Sequence, residues 1–128
     1  MRRDSGRILA VAGFLLALAT LFGAFGAHVL HARLAADRVS TFEVGVRYQF
    51  FHSLGLLCIG VAAREMDSAL LRWAAVLIVT GIVLFCGSLY LLSFDAVRAF
   101  GVVTPLGGLA LIAGWALFAL AAWRTGRN

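Results

Sequence analysis

Residues 8–27 read ILAVAGFLLALATLFGAFGA, twenty consecutive positions without a single charge. At 1.5 Å per residue such a run covers the ~30 Å hydrocarbon core of a bilayer. A backbone in lipid must satisfy its own hydrogen bonds, so the run is predicted to be a helix. Three further apolar runs follow, at about 44–63, 73–92 and 102–123. With the first extended to His28, the four spans predict an all-α fold, a single integral-membrane four-helix bundle over residues 1–128.

Composition excludes the other classes. The AVILMFWYC set makes up 62% of the 128 residues, charged residues only 13%, and mean hydropathy is +0.98. A soluble domain is roughly 45–50% apolar, glycine included, and a small one leaves much of its chain exposed. Disorder requires the reverse composition, low hydrophobicity with high charge. The first run is longer than the 7–15 apolar residues of a secretory signal, so it is expected to be a retained helix.

The net charge is +5, from 11 arginines, no lysine and 6 acidic residues. These arginines stand singly at the ends of apolar runs, as membrane anchors do, and no nucleic-acid partner is expected. Arg2, Arg3, Arg7, Arg64, Arg72, Arg124 and Arg127 fall on one side of the bundle; Arg33, Arg38, Arg47 and Arg98 fall on the other. The positive-inside rule then predicts both termini in the cytoplasm and an inner (plasma) membrane, multi-pass location.

Local signals add detail. Ser40 with Glu43 fits an S-x-x-E capping box at the start of helix two. Pro105 is expected in the first turn of helix four, with Thr104 opening it. Glu43 and Arg47, at i and i+4, are expected to pair. Gly45, Tyr48, His52 and Gly55 share a helix face distinct from that of Glu43 and Arg47, so the two faces should meet different neighbours. Ala19, Gly23 and Ala27 in helix one, Gly81 and Gly87 in helix three, and Gly101, Gly107, Gly108 and Gly114 in helix four invite close backbone approach, within the bundle or between copies. Cys58 and Cys86 differ in depth by ~12 Å, beyond the ~7 Å limit for a disulfide, and are expected to be free.

Polar side chains in the spans concentrate in the half away from the termini. Arg47 is ~4.5 Å into helix two and His52 ~12 Å. With His28, Tyr48, Gln49, Ser88, Tyr90 and Thr104 they form the candidate polar pocket, set above an inner half of Leu, Val, Ala and Ile. Ionisable groups at such depth are costly and usually face protein or a wet cavity. His28 and His52 suggest a haem or metal ligand pair, but their depths differ by ~12 Å, and a lone buried histidine usually bonds a carbonyl or hydroxyl. Neither a nucleophile–base set nor a phosphate loop appears. The expectation is therefore no catalytic residue, no metal site and no cofactor.

The same residues carry a resemblance. Gly23-Ala24-Phe25-Gly26-Ala27-His28, Gly45-Val46-Arg47-Tyr48-Gln49-Phe50-Phe51-His52, Gly87-Ser88-Leu89-Tyr90-Leu91-Leu92, and Thr104-Pro105-Leu106-Gly107-Gly108 with Gly114-Trp115 resemble, in order and over the whole chain, the family called domain of unknown function 423. Its eukaryotic relatives include transmembrane protein 256. The resemblance implies a four-helix inner-membrane protein and no established reaction, substrate or cofactor. The family pattern usually has Tyr where Phe51 stands and Ser where Cys86 stands, so a hydroxyl at either place is not essential here.

Function is expected to be that of a non-enzymatic accessory or binding subunit whose outer-leaflet pocket holds a lipid, a quinone or a partner subunit. The partners would be membrane lipid and a homo-oligomer or larger membrane complex. The alternatives are a small oligomeric transporter or channel, disfavoured by the apolar inner half, and a haem or metal electron carrier.

Overall fold

The computed structural model describes residues 2–94 and 99–127. Four helices are long and apolar enough to cross a membrane: α1 (Arg3–Arg33), α2 (Ala36–Ala62), α3 (Ala69–Ser93) and α4 (Phe100–Thr125). With 25 to 31 residues each, they are about 37–46 Å long and overhang a ~30 Å core at both ends. That overhang explains where the boundaries depart from expectation. Helix two begins at Ala36 rather than 44, because its polar first turns lie outside the hydrocarbon and still form a helix.

The Ser40–Glu43 capping box is therefore not formed. Both residues lie inside α2, Ala35 is the N-cap, and Asp37 supplies the first-turn acid that complements the helix dipole. Thr41 Oγ1 bonds back to Asp37 O at 3.0 Å. Pro105 likewise falls in the second turn of α4 rather than the first, and Thr104 does not open the helix but bonds back to Phe100 O at 3.3 Å. Helix three likewise starts before 73, at Ala69, with Ser68 as its N-cap. Asp95 and Arg98, which fall between the third and fourth apolar runs, lie outside the described residues.

The α1–α2 turn lies at one end of the bundle with the C-terminal end of α3 and the N-terminal end of α4, and the N-terminal end of α1, the α2–α3 loop and the C-terminal end of α4 lie at the other. Helix α1 packs along α2, α2 along α3, and α3 along α4. The core runs through Leu56, Ile59, Leu71, Ile78, Cys86 and Leu111, with a second cluster of Leu30, Val39, Phe42 and Val46 near the turn end. Large apolar side chains such as Phe14, Leu21, Val102, Leu109 and Ile112 face outward, as a bilayer solvent allows. Trp73 and Trp123 are exposed toward the terminal end, beside its arginines, in the manner of an interfacial belt.

Lipid gives helices no hydrophobic reason to associate, so close packing and hydrogen bonds hold them. The α3–α4 seam shows the first. A methyl on Gly107 would lie 2.3 Å from Phe85 N, one on Gly81 2.6 Å from Leu111, and one on Gly114 2.9 Å from Ile78. On the α1–α2 seam Ala12 and Ala19 are fully buried and Gly23 meets Val46. Gly87 and Gly101, expected in a seam, have no neighbour within 4 Å of a would-be Cβ. Both cysteines are free, Cys86 buried and Cys58 exposed.

Two helices each contain one π-helical turn, Gly26–Leu30 in α1 and Ile82–Cys86 in α3. Such turns widen a helix locally and occur frequently at functional sites.

Candidate functional site

Seven of the eight residues expected to share one pocket are distributed over four places, and His28 belongs to none of them. Gln49 and Tyr90 form a relay through the bundle. Tyr90 Oη donates to Gln49 Oε1 at 2.6 Å, and Gln49 Nε2 donates to Leu15 O at 2.8 Å. Three helices are joined by one amide that is only 3% exposed. Gly45 makes room for it, since a Cβ there would stand 2.7 Å from the Tyr90 ring. Phe22 and Phe42 pack on that ring, with centroids 5.1 and 5.0 Å away.

Ser88 and Thr104 form the second place. Their hydroxyls bond each other at 2.5 Å across the α3–α4 seam, and Ser88 Oγ also lies 2.9 Å from Phe85 O. All four of these side chains hold helices together.

The third place is aromatic. Trp115 Nε1 donates to His52 Nδ1 at 3.0 Å. An indole nitrogen can only donate, so this histidine nitrogen carries no proton and the ring is neutral, with its proton on Nε2. The partner is thus an indole, not the carbonyl or hydroxyl expected. Tyr48 lies one turn away, its ring 5.7 Å from His52 and 4.7 Å from Phe85, the latter in the π turn of α3. Gly55 admits Trp115, whose Cη2 would be 2.2 Å from a Cβ. The face of Gly45, Tyr48, His52 and Gly55 thus meets α3 and α4, while Glu43 and Arg47 turn toward α1.

Arg47 marks the fourth place, a groove of about 260 Å³ between α1 and α2. Phe22, Gly23, Gly26, Ala27, Phe42, Glu43 and Val46 complete its lining, and Arg47 is the only one of the eight expected pocket residues in it. The expected Glu43–Arg47 pair does not form. Glu43 Oε1 instead meets His31 Nε2 at 2.9 Å, because α1 runs on to Arg33 and brings His31 alongside α2. Arg47 is left without an ion-pair or hydrogen-bond partner among the described residues. His28 is exposed in the π turn of α1 and also makes no such bond among them.

Depth follows from the antiparallel register. Gly26 abuts Phe42, Gly23 abuts Val46, and Gly60 abuts Leu9. Arg47 is therefore level with about Phe22, some 7 Å inside the Ala27 end of the apolar run, and His52 is level with its middle. Polar groups absent from the expected set also appear. Ser5 Oγ donates to Gly60 O at 2.7 Å near the terminal end, where Ser5 sits in what reads as a charged tail. Ser53 Oγ is buried with no partner among the described residues, and nothing in the structure explains it. A second groove, about 270 Å³, opens between α1 and α3 over Leu56 and is apolar apart from Arg7 and Thr80. Among the described residues no three His, Cys, Asp or Glu side chains gather as a metal site would require.

Comparison with known proteins agrees with this architecture. The family described as "Protein of unknown function (DUF423)" matches residues 22–108. That stretch contains the π turn of α1, Arg47, His52 and the Phe85–Gly107 contact. The UPF0382 inner membrane protein YgdD of Escherichia coli K12 is 40% identical over 119 residues, covering 93% of this chain and 88% of its own. A UPF0382 membrane protein of Staphylococcus haemolyticus is 42% identical over 102 residues, covering 80% and 83%. One from Staphylococcus epidermidis RP62A is 43% identical over 99 residues, covering 77% and 80%. No solved structure matches the chain significantly. With four spans, a matching family stretch that includes the groove, and relatives named for the membrane, the chain belongs to the DUF423 (UPF0382) family of multi-pass inner-membrane proteins.

Proposed function

We propose that the protein is a non-enzymatic lipid-binding subunit of the inner membrane, with its termini in the cytoplasm and the α1–α2 groove in the outer leaflet. The ligand is an anionic lipid, its phosphate held by Arg47 and one chain lying against Phe22, Phe42 and Val46. The observation that carries this reading is Arg47 itself. It is a guanidinium about 7 Å within the apolar zone, lining a groove, with no described counter-ion. A charge at depth costs roughly 2.5–3.5 kcal/mol by insertion scales at the helix centre, and an anion or a path to water relieves it.

Further features support the same reading. Gly23 and Gly26 keep the groove floor low, and the π turn begins at Gly26, on the groove wall. His31 occupies Glu43, the nearest acid on the wall. Gln49, Tyr90, Ser88 and Thr104 serve as the frame that keeps α2 in register.

The experiment is lipid analysis by native mass spectrometry on protein extracted gently from its own membrane. Wild type should retain an anionic phospholipid, and Arg47→Gln should lose it by about tenfold or more, the scale of one charged hydrogen bond at ~1.5–3 kcal/mol. Equal retention by the variant, or only zwitterionic lipid in wild type, would remove Arg47 from the reading.

A further inference from the structure

The aromatic place on the opposite face of α2 carries a separate inference, independent of the lipid groove. Trp115 fixes the tautomer of His52, so Nε2 bears the hydrogen and has no acceptor among the described residues. Tyr48 Oη, one turn toward the α1–α2 turn on the same face, also has none. His52 is partly buried and Tyr48 exposed, so both donors open toward the bilayer rather than into the core. His52 is level with the middle of the apolar run, where neither water nor lipid ester carbonyls are at hand. A hydrogen-bond donor without an acceptor is strongly disfavoured in hydrocarbon. The α3 wall of this place is also irregular, since Phe85 belongs to the π turn and its backbone is pressed by Gly107.

We propose that Tyr48 and His52 form a seat for a ring carbonyl of a membrane-dissolved quinone. The ligand class follows from three requirements: solubility at mid-bilayer, a carbonyl oxygen that accepts from O–H and N–H, and a flat face for the Tyr48, Phe85 and Trp115 rings. A phospholipid fails the last two at that depth, because its acceptors lie at the interface and its chains have no flat face. The seat binds the oxidised ring, and no electron transfer is part of it.

The test uses full-length protein in nanodiscs with Trp73→Phe and Trp123→Phe, both exposed positions distant from the site, so that Trp115 is the sole tryptophan and is excited selectively over the tyrosines. Decylubiquinone should quench it saturably, and dodecylbenzene, a ring without a carbonyl, should not compete. Tyr48→Phe should weaken binding about 5- to 10-fold, the scale of one hydrogen bond. His52→Met keeps a weak acceptor near Trp115 while deleting the Nε2 donor and adding none, and should do the same. Arg47→Gln should leave the titration unchanged, which separates this seat from the lipid groove. Unsaturable quenching in the parent protein, effective competition by dodecylbenzene, or unchanged affinity in either donor variant overturns the proposal. So does a dimer that forms without quinone and is lost in both donor variants, since the donors would then belong to a contact with a second copy.

Discussion

Replacing Gly107 by alanine tests the closest backbone approach in the bundle, and Gly108 supplies an adjacent control. A methyl on Gly107 would meet Phe85 N at 2.3 Å, Phe85 Cα at 2.8 Å and Leu84 C at 2.9 Å, all backbone atoms that no rotamer change can move. Reaching an ordinary 3.4 Å contact requires α3 and α4 to part by about 1.1 Å at this level. Overpacking of this kind costs about 1–3 kcal/mol. The better helix propensity of alanine returns at most about 1 kcal/mol. The net expectation is a loss of about 1–2 kcal/mol, with collateral weakening of the Ser88–Thr104 bond that spans the same seam. A methyl on Gly108 meets only the Phe85 ring, at 3.8 Å, so Gly108→Ala should be neutral or stabilising by up to about 1 kcal/mol. Reversible unfolding in mixed micelles on SDS titration, followed by circular dichroism, measures both. Equal stability of the two variants would refute the claimed approach of α3 and α4 at Gly107.

The relay from Tyr90 through Gln49 to Leu15 predicts non-additivity. Gln49→Leu should cost about 1–3 kcal/mol by the same assay, from two interhelical bonds worth about 0.6–1.7 each. Tyr90→Phe should cost less, and Gln49→Leu with Tyr90→Phe less than the sum, because the double variant leaves no phenol unpaired; strict additivity would contradict the relay. Ser5→Ala, by removing the bond to Gly60 O, should cost about 0.6 to 1.7 kcal/mol, and no change would mean that this N-terminal turn frays in the membrane. Fusions at the C-terminus test the arginine bias: green fluorescent protein should fluoresce and alkaline phosphatase stay inactive, and the opposite pattern would invert the leaflet given to the groove.

The four spans are legible because twenty uncharged residues admit only one backbone solution in lipid, and the two faces of α2 are legible because a 100° step separates Glu43 and Arg47 from Tyr48 and His52. Other features depend on neighbours that no local pattern reveals. Helix two begins at Ala36 because water-exposed turns can be helical without being apolar, so the polar residues from Asp37 to Thr41 read as a loop. Glu43 pairs with His31 rather than Arg47 because α1 continues past the apolar run. The eight polar residues share one half of the bundle, but position along the axis does not fix azimuth. Gln49 points to α1 and α3, Ser88 to α4, and Arg47 to the α1 groove. Trp115 as the partner of His52, and Gly55 as its clearance, arise from a contact 63 residues apart in sequence. The π turns insert a one-residue phase shift that apolar periodicity cannot resolve within so uniform a run.

The most direct measurement is an electron-density map of the protein crystallised from a mesophase doped with phosphatidylglycerol. The account predicts a phosphate within hydrogen-bond distance of the Arg47 guanidinium and an acyl chain running past Gly23 and Gly26. An Arg47 side chain bonded to another protein segment, with no lipid headgroup in the groove, would contradict it.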